Sequence, residues 1–488
     1  MPSDNSYRNI LKGTAIFGGT QFFTILINLV RGKLVALFLG PQGMGISSLI
    51  TASMNTIQQL SSMGLNLSIV KEISNAKEVN DESKLSLIIA IARFLLKVTA
   101  CIGAIFTILF SNSLSKITFG NHEYQWFYVL LSVVIFFTTM SNGELSILQG
   151  CREIKKLAWA SVIGATVGLV IGVPMYYWWG YKGIVPAMIA LALTNYVFYK
   201  YNSNKLKVRK ISFLLKEQYP LIKNMLLLGL TLMIASLIGT FVNYLLNMYI
   251  GRYGSLNDVG MYQAANSITN QYVGIIFTAM SLDYFPRLAA VSNDHEKIRD
   301  IVNKQIDIVL NIMAPLCCIL IIFTPLIIKI LLTNEFLPII DLIRWMSIGL
   351  FLKACTFPLG YISFAKGDKK TFFWLEGIWS NALNLTINLI SYSIWGLSGM
   401  GIALCIIYLI SLLTYICTTK FFYLFQITAS NYKLIVVLIS FILITFSSSF
   451  IPQVYTSYIC MISSCILCCT LCFKNLNAKM NFIKKRKL

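Results

Sequence analysis

The sequence predicts an all-α polytopic membrane protein with about fourteen transmembrane helices, arranged as two parallel six-helix repeats plus two C-terminal helices. Three observations predict it. The 488 residues are 57% hydrophobic and 12% charged, with a mean hydropathy of +0.71, whereas a soluble domain carries roughly 25% charged residues. Apolar runs of about twenty residues, each able to cross roughly 30 Å of hydrocarbon as a helix, recur along the chain. None has the period-2 alternation of a barrel strand.

The first six spans fall near 13–36, 44–70, 87–110, 125–148, 157–178 and 184–201. The next six fall near 225–250, 259–285, 306–332, 339–364, 372–394 and 400–423, and the last pair near 434–451 and 456–473. The domains expected are therefore a six-helix bundle over 1–205, a cytoplasmic linker over 206–224 and a second bundle over 225–425. Two extra spans over 426–475 and a basic tail over 476–488 complete the chain. Met1–Lys12 is polar and the span after it lacks a small-residue cleavage site, which reads as a retained first helix.

The formal charge of +21 invites a nucleic-acid reading, but its distribution opposes one. Of the 40 Lys and Arg, 30 lie in one set of alternating loops and 4 in the other, the rest being within or at the edges of spans. By the positive-inside rule both termini and the basic loops are expected in the cytoplasm. The loops are too short for a soluble domain. The 206–224 linker, with its stretch Ile211–Pro220, reads as a solvated connector or a short interfacial helix.

The chain repeats itself. Gly43-Met44 and Gly260-Met261 open the second and eighth spans at an offset of 217, which also relates Gly150 to Gly367. Trp179-Gly180-x-x-Gly183 matches Trp395-Gly396-x-x-Gly399 at 216, as Gly13 and Thr24 match Gly229 and Thr240. Four landmarks that hold one offset within a residue, each at the same place in the span order, predict two equivalent halves. Parallel repeats are a transporter architecture, with the substrate site between them near mid-membrane.

Charges inside spans cost roughly 2.5–3.5 kcal/mol each on insertion scales and usually face a cavity or a partner. Arg31 and Lys33, late in the first span, and Lys353, in the middle of the tenth, are expected to be cationic cavity residues, with snorkelling as the alternative for the first two. Arg344 is expected to pair with Asp341 at i, i+3, and Arg93 and Lys97 to snorkel from the cytoplasmic end of the third helix. The second and eighth spans are unusually polar, and Asn28, Asn55, Gln59, Asn243, Asn247, Gln263 and Asn270 form the expected polar lining for sugars. Each carboxylate near a span is by default neutral, interfacial or cation-paired. Glu144 and Asp283 are kept as candidate proton or sodium sites.

His122 and His295 have no metal-ligand spacing, and there is no P-loop, so no cofactor, metal or ATP is expected. Cys465, Cys468, Cys469 and Cys472 read as small packing residues. The two short loop sets leave no outward segment for a polymerase or ligase active site, so the chain is expected not to be an enzyme.

Several stretches resemble the O-antigen or polysaccharide flippases of the multidrug/oligosaccharidyl-lipid/polysaccharide exporter superfamily. They are Gly32-Lys33-Leu-Val-Ala with Gly40-Pro41-x-Gly43, Gly260-x-x-Gln263, Tyr284-Phe-Pro286-x-Leu288, and Asp341-Leu-x-x-Trp345 with Lys353. The resemblance, over about residues 10–425, implies two six-helix bundles around a cationic cavity that opens alternately to either side. It implies as substrate an undecaprenyl-diphosphate-linked oligosaccharide such as an O-antigen unit of lipopolysaccharide, with membrane lipids and other polysaccharide-assembly proteins as partners and no nucleic acid. Lys33 and Lys353 match its cationic positions; Arg31 does not match by motif. The two last spans exceed the twelve of many members and are similar to the fourteen-helix peptidoglycan-precursor flippases. A multidrug cation antiporter of the same superfamily is the other reading.

Overall fold

A computed structural model gives the backbone of residues 4–78, 81–206, 211, 214, 216–292 and 294–486. Side chains of residues 4–22, 78, 231, 232, 235, 271, 272, 275, 279, 282, 283, 286 and 479–486 lie outside the description, as do residues 207–210, 212, 213 and 215 of the 206–224 linker. The described residues are helical almost throughout and contain no strand. The reason is the one that excludes loops from hydrocarbon: a helix satisfies every backbone group within itself.

The helices are α1 (Asp4–Ser62), α2 (Leu65–Glu78), α3 (Glu82–Leu109), α4 (Ser111–Phe119), α5 (Gln125–Gly150), α6 (Ile154–Trp179) and α7 (Ile184–Asn204). There follow α8 (Tyr219–Tyr253), α9 (Leu256–Asn266), α10 (Ile275–Ala289), α11 (His295–Leu331), α12 (Ile340–Ala365), α13 (Lys369–Phe372), α14 (Ser380–Tyr423), α15 (Ala429–Ser448) and α16 (Val454–Arg486). Among the described residues, nine helical stretches are long and apolar enough to cross a membrane. Three of them contain a sharp break, at Gly40, Gly180 and Gly396, where the sequence places turns between successive spans.

Two of those breaks are built alike. Gly180 (φ 55°, ψ −134°) and Gly396 (φ 59°, ψ −141°) adopt a left-handed conformation that a Cβ would strain. Three residues later, a Cβ on Gly183 would lie 2.1 Å from the carbonyl oxygen of Met175, and one on Gly399 would lie 2.1 Å from that of Ser391. The blocking carbonyl is eight residues upstream in both turns. The Trp-Gly-x-x-Gly repeat of the sequence is thus a repeated backbone shape.

The chain divides into two compact units, Met1–Gly260 and Met261–Leu488. The repeat puts the start of its second half at 225, so α8 belongs by sequence to the second half and by packing to the first unit. In the first unit α5 packs on α3, α6 packs on α7, and α8 lies along α1 and α2. The start of α9 and the second half of α1 approach reciprocally. A Cβ on Gly45 would sit 1.9 Å from the carbonyl oxygen of Leu256, and one on Gly260 would sit 1.9 Å from that of Pro41. In the second unit α12 packs on α14 and α11, and α15 and α16 pack on α11. Val309, Met313, Cys318, Leu438, Ile442, Cys465 and Cys468 are buried at that junction, so these cysteines are packing residues and all twelve are free thiols.

Candidate functional site

In the first unit the polar face of α1 opens on a cavity of about 490 Å³. Asn55, Gln58, Gln59, Ser62 and Asn66 come from α1 and α2, Asn142 from α5, and Gly239, Thr240 and Asn243 from α8. The spacings 55, 59, 62 on α1 and 239, 243 on α8 keep each row on one helical face. Every lining side chain is an amide or hydroxyl. Gln59 donates to Ser236 Oγ, tying α1 to α8. Asn247 donates to the Asn243 backbone oxygen at 2.8 Å and to its Oδ1 at 3.2 Å, which orients the Asn243 amide. Two buried oxygens, Asn66 Oδ1 at the cavity and Asn247 Oδ1, have no hydrogen-bond partner among the described residues. A buried orphan acceptor costs about 1–3 kcal/mol, and a hydroxyl entering the cavity would recover it at Asn66.

The sequence expects Arg31 and Asn28 beside these amides. They line a separate, narrower space with Gly168, Gly172 and Tyr176 of α6 and Ala187 and Leu191 of α7. There Arg31 donates to the Tyr176 hydroxyl at 3.2 Å. Lys33 is half-buried on the same helix and lines neither space.

Glu144 is buried, 1% exposed, and takes up three partners. Arg93 donates to both carboxylate oxygens at 3.1 and 3.0 Å, Lys200 to Oε1 at 2.5 Å, and Ser203 to Oε2. Arg93 also reaches Ser203 Oγ at 3.0 Å and Asn204 Oδ1 at 3.3 Å. The expectation that Arg93 snorkels is corrected: a buried carboxylate 51 positions away competes with water for its guanidinium, and the bidentate geometry wins. Asn142 and Glu144 sit two residues apart, so one faces the cavity and the other the ion cluster.

In the second unit Lys353 projects from α12 toward a six-residue π-helical segment, Ser267–Tyr272, that joins α9 to α10. Its ammonium donates to Asn270 Oδ1 at 3.2 Å and lies 5.5 Å from the Phe277 ring centroid and 5.8 Å from that of Tyr408. Asn270 is aimed in turn, its Nδ2 donating to Asn266 Oδ1 at 2.8 Å. The extra residue in a π turn re-aims the side chains that follow, and such turns recur at functional sites. Two expected site residues 83 positions apart thus meet. Gln263 is half-buried one turn before Asn266. Arg344 pairs with Asp341 at 3.5 Å, as the i, i+3 spacing expects. The Asp283 side chain lies outside those described. Among the described residues no His, Cys, Asp and Glu cluster could hold a metal ion.

The family model described as polysaccharide biosynthesis protein matches residues 34–341, more than half of the chain. The chain belongs to this family. Its relatives include the lipid III flippases of Escherichia coli (strain K12) and Shigella flexneri, each 22% identical over 376 residues, 75% of this chain and 88% of theirs. Among solved structures, the lipid II flippase MurJ in an inward closed conformation superposes with a TM-score of 0.70 at 16% identity, over 96% of this chain and 99% of that one. An inward-facing multidrug resistance MATE transporter of the MOP superfamily superposes at 0.69 and 18% identity, over 80% and 93%. The chain thus has the MOP superfamily fold, and its likeness to MurJ extends over nearly its full length. Lys33 and Lys353 fall just outside the matched stretch, so both stand on the physical argument above.

Proposed function

We propose that the protein is a flippase that carries a lipid-linked oligosaccharide from the cytoplasmic to the outer leaflet of the bacterial inner membrane by alternating access. The observation that carries this reading is the 490 Å³ cavity walled by amides and hydroxyls within a chain of otherwise apolar spans. A saccharide head cannot cross hydrocarbon because each hydroxyl would lose its water, at several kcal/mol apiece. Asn55, Gln59 and Asn243 offer replacement donors and acceptors, and the unpaired oxygen of Asn66 accepts one more. Asn247 acts behind them by orienting Asn243.

The substrate is an undecaprenyl-diphosphate-linked repeat unit of a surface polysaccharide, of the O-antigen kind. Its diphosphate is assigned to the cations, to Lys353 with its partner Asn270 in the second unit and to Arg31 and Lys33 on the first helix, with Gln263 and Asn28 as further polar residues. The polyprenyl tail stays in lipid. With both termini cytoplasmic, an inside-negative potential favours outward movement of the diphosphate by roughly 2.3 kcal/mol per charge per 100 mV. No chemical step is required of the protein. Glu144 is already neutralised by Arg93 and Lys200, so Asp283 is the better ion-coupling group of the two. A peptidoglycan-precursor substrate is the second reading, favoured by a fold shared with MurJ over 96% of the chain.

The test replaces Asn55, Gln59 and Asn243 together by Ala, and separately Lys353 by Ala. Each should abolish surface polysaccharide and leave the lipid-linked intermediate in the cytoplasmic leaflet. Intact polysaccharide with lost drug resistance would support a cation antiporter instead, and lysis with lipid II accumulation would support the peptidoglycan reading.

A further inference from the structure

The first unit carries another cavity, of about 520 Å³, that the transport reading does not use. It lies where three breaks in the helical run meet: Phe38–Gly43 around the kink of α1, Glu123–Phe127 entering α5, and Gly180–Lys182 between α6 and α7. These are loops of the set that carries few Lys and Arg, so the cavity belongs to the face opposite the basic one.

Its lining combines two chemistries. Phe38, Tyr124, Phe127 and Tyr181 supply ring faces, and Gln42, Glu123 and Lys182 supply an amide, an acceptor and a donor. Aromatic residues are common at membrane interfaces, where they anchor the protein in the headgroup layer. Trp126 and Trp178 fit that role, at 74% and 72% exposed. The cavity rings differ, because Phe38, Tyr124 and Phe127 are turned in and half-buried. Tyr124 stacks on Phe119 at 4.0 Å between centroids and meets Phe127 edge-on at 5.5 Å, so its plane is held before any ligand arrives. Fixed rings beside mixed donors and acceptors suit a ligand that has an apolar C–H face and a rim of hydroxyls.

We propose that this cavity is an outer saccharide subsite, receiving sugars of the transported head group after they have crossed. A volume of this size lies within the usual range for a small-ligand pocket and would admit one or two sugar rings. The proposal rests on the flippase reading and gives it a second station. Head-group sugars held there leave the amide cavity free and are biased against return.

The experiment uses the full chain in the membranes of polysaccharide-producing cells, with Tyr181, which is 49% exposed, replaced by the photocrosslinker p-benzoylphenylalanine. After irradiation the purified protein is stained for glycan by periodate and hydrazide, which reads any sugar that carries a vicinal diol. The same photocrosslinker at Asn55 reports the amide cavity, and at Trp178 it reports lipid. Glycan should appear at positions 181 and 55 and not at 178. Tyr124→Ala should lower capture at 181 roughly fivefold and leave capture at 55 unchanged. Glu123→Gln, at an exposed residue, should lower it without removing a packed ring. Glycan at 55 with only phospholipid at 181 would assign the cavity to a zwitterionic headgroup, overturning the outer subsite while the flippase reading stands. Absence of glycan at both positions would overturn both.

Discussion

Asn270→Asp is the most discriminating perturbation of the Lys353 site. The wild-type amide accepts from the ammonium at 3.2 Å and leaves its full charge available. An aspartate at that distance would supply about 5 kcal/mol of attraction at an effective dielectric of about 20, and the lysine would then be satisfied from within. A charge-assisted hydrogen bond to substrate phosphate is worth about 2 kcal/mol net, or about thirtyfold in affinity. Both Asn270→Asp and Lys353→Met should therefore weaken binding of a polyprenyl diphosphate by about thirtyfold, measured on purified protein in nanodiscs. Neither should lose stability. Asn270→Asp should raise the melting temperature by adding an ion pair, and Lys353→Met should leave it equal or higher by removing a half-buried charge. Unchanged diphosphate affinity in Asn270→Asp would refute the assignment of Lys353 to the anion.

Glu144→Gln would strand Arg93 and Lys200 beside a neutral amide. Breaking a buried pair costs roughly 3–5 kcal/mol, and because both cations are about 30% exposed, solvent screening reduces this to about 2 kcal/mol, measurable by thermal melting in detergent. Full stability with lost dependence on a proton or sodium gradient would instead identify Glu144 as the coupling group. Gly45→Ala would push a methyl carbon onto the Leu256 carbonyl at 1.9 Å and should destabilise by about 1–3 kcal/mol, whereas Gly120→Ala, with open space around it, should be mild apart from its positive φ. Asp368 caps α13 through Thr371 (3.1 Å to N, 2.7 Å to Oγ1) and accepts from the Tyr423 hydroxyl at 2.9 Å. The Thr371 bonds, chiefly the side-chain one, hold its carboxyl below the usual carboxylate range. The stabilisation is thus present above the unfolded pKa of about 3.9 and disappears as pH falls through the folded value. A melting profile against pH should lose that acid-side slope in Asp368→Asn.

Much of the protein is legible along the chain because a membrane helix is a local object. Twenty apolar residues specify a span, and the short loops specify where it stops. The polar second span announced its cavity for the same reason: Asn55 and Gln59 share a face whatever lies opposite. The Trp-Gly-x-x-Gly turns were legible too, since Gly180 and Gly396 tolerate the same positive φ and no other residue does so at comparable cost.

Helix-to-helix choices were settled only by tertiary packing. Arg93 abandons the interface for Glu144 on α5, with Lys200 of α7 arriving from 56 positions away. Arg31 finds Tyr176 across 145 positions and so stands apart from the amide cavity that it was expected to line. Lys353 finds Asn270 because a π turn, invisible in residue type, rotates that amide toward it. Hydrophobic patterning dictates how each helix forms and where it ends. Which charged or polar tip meets which depends on the rotation and depth of neighbouring helices, and these follow from the packing of whole surfaces rather than from any local run of residues.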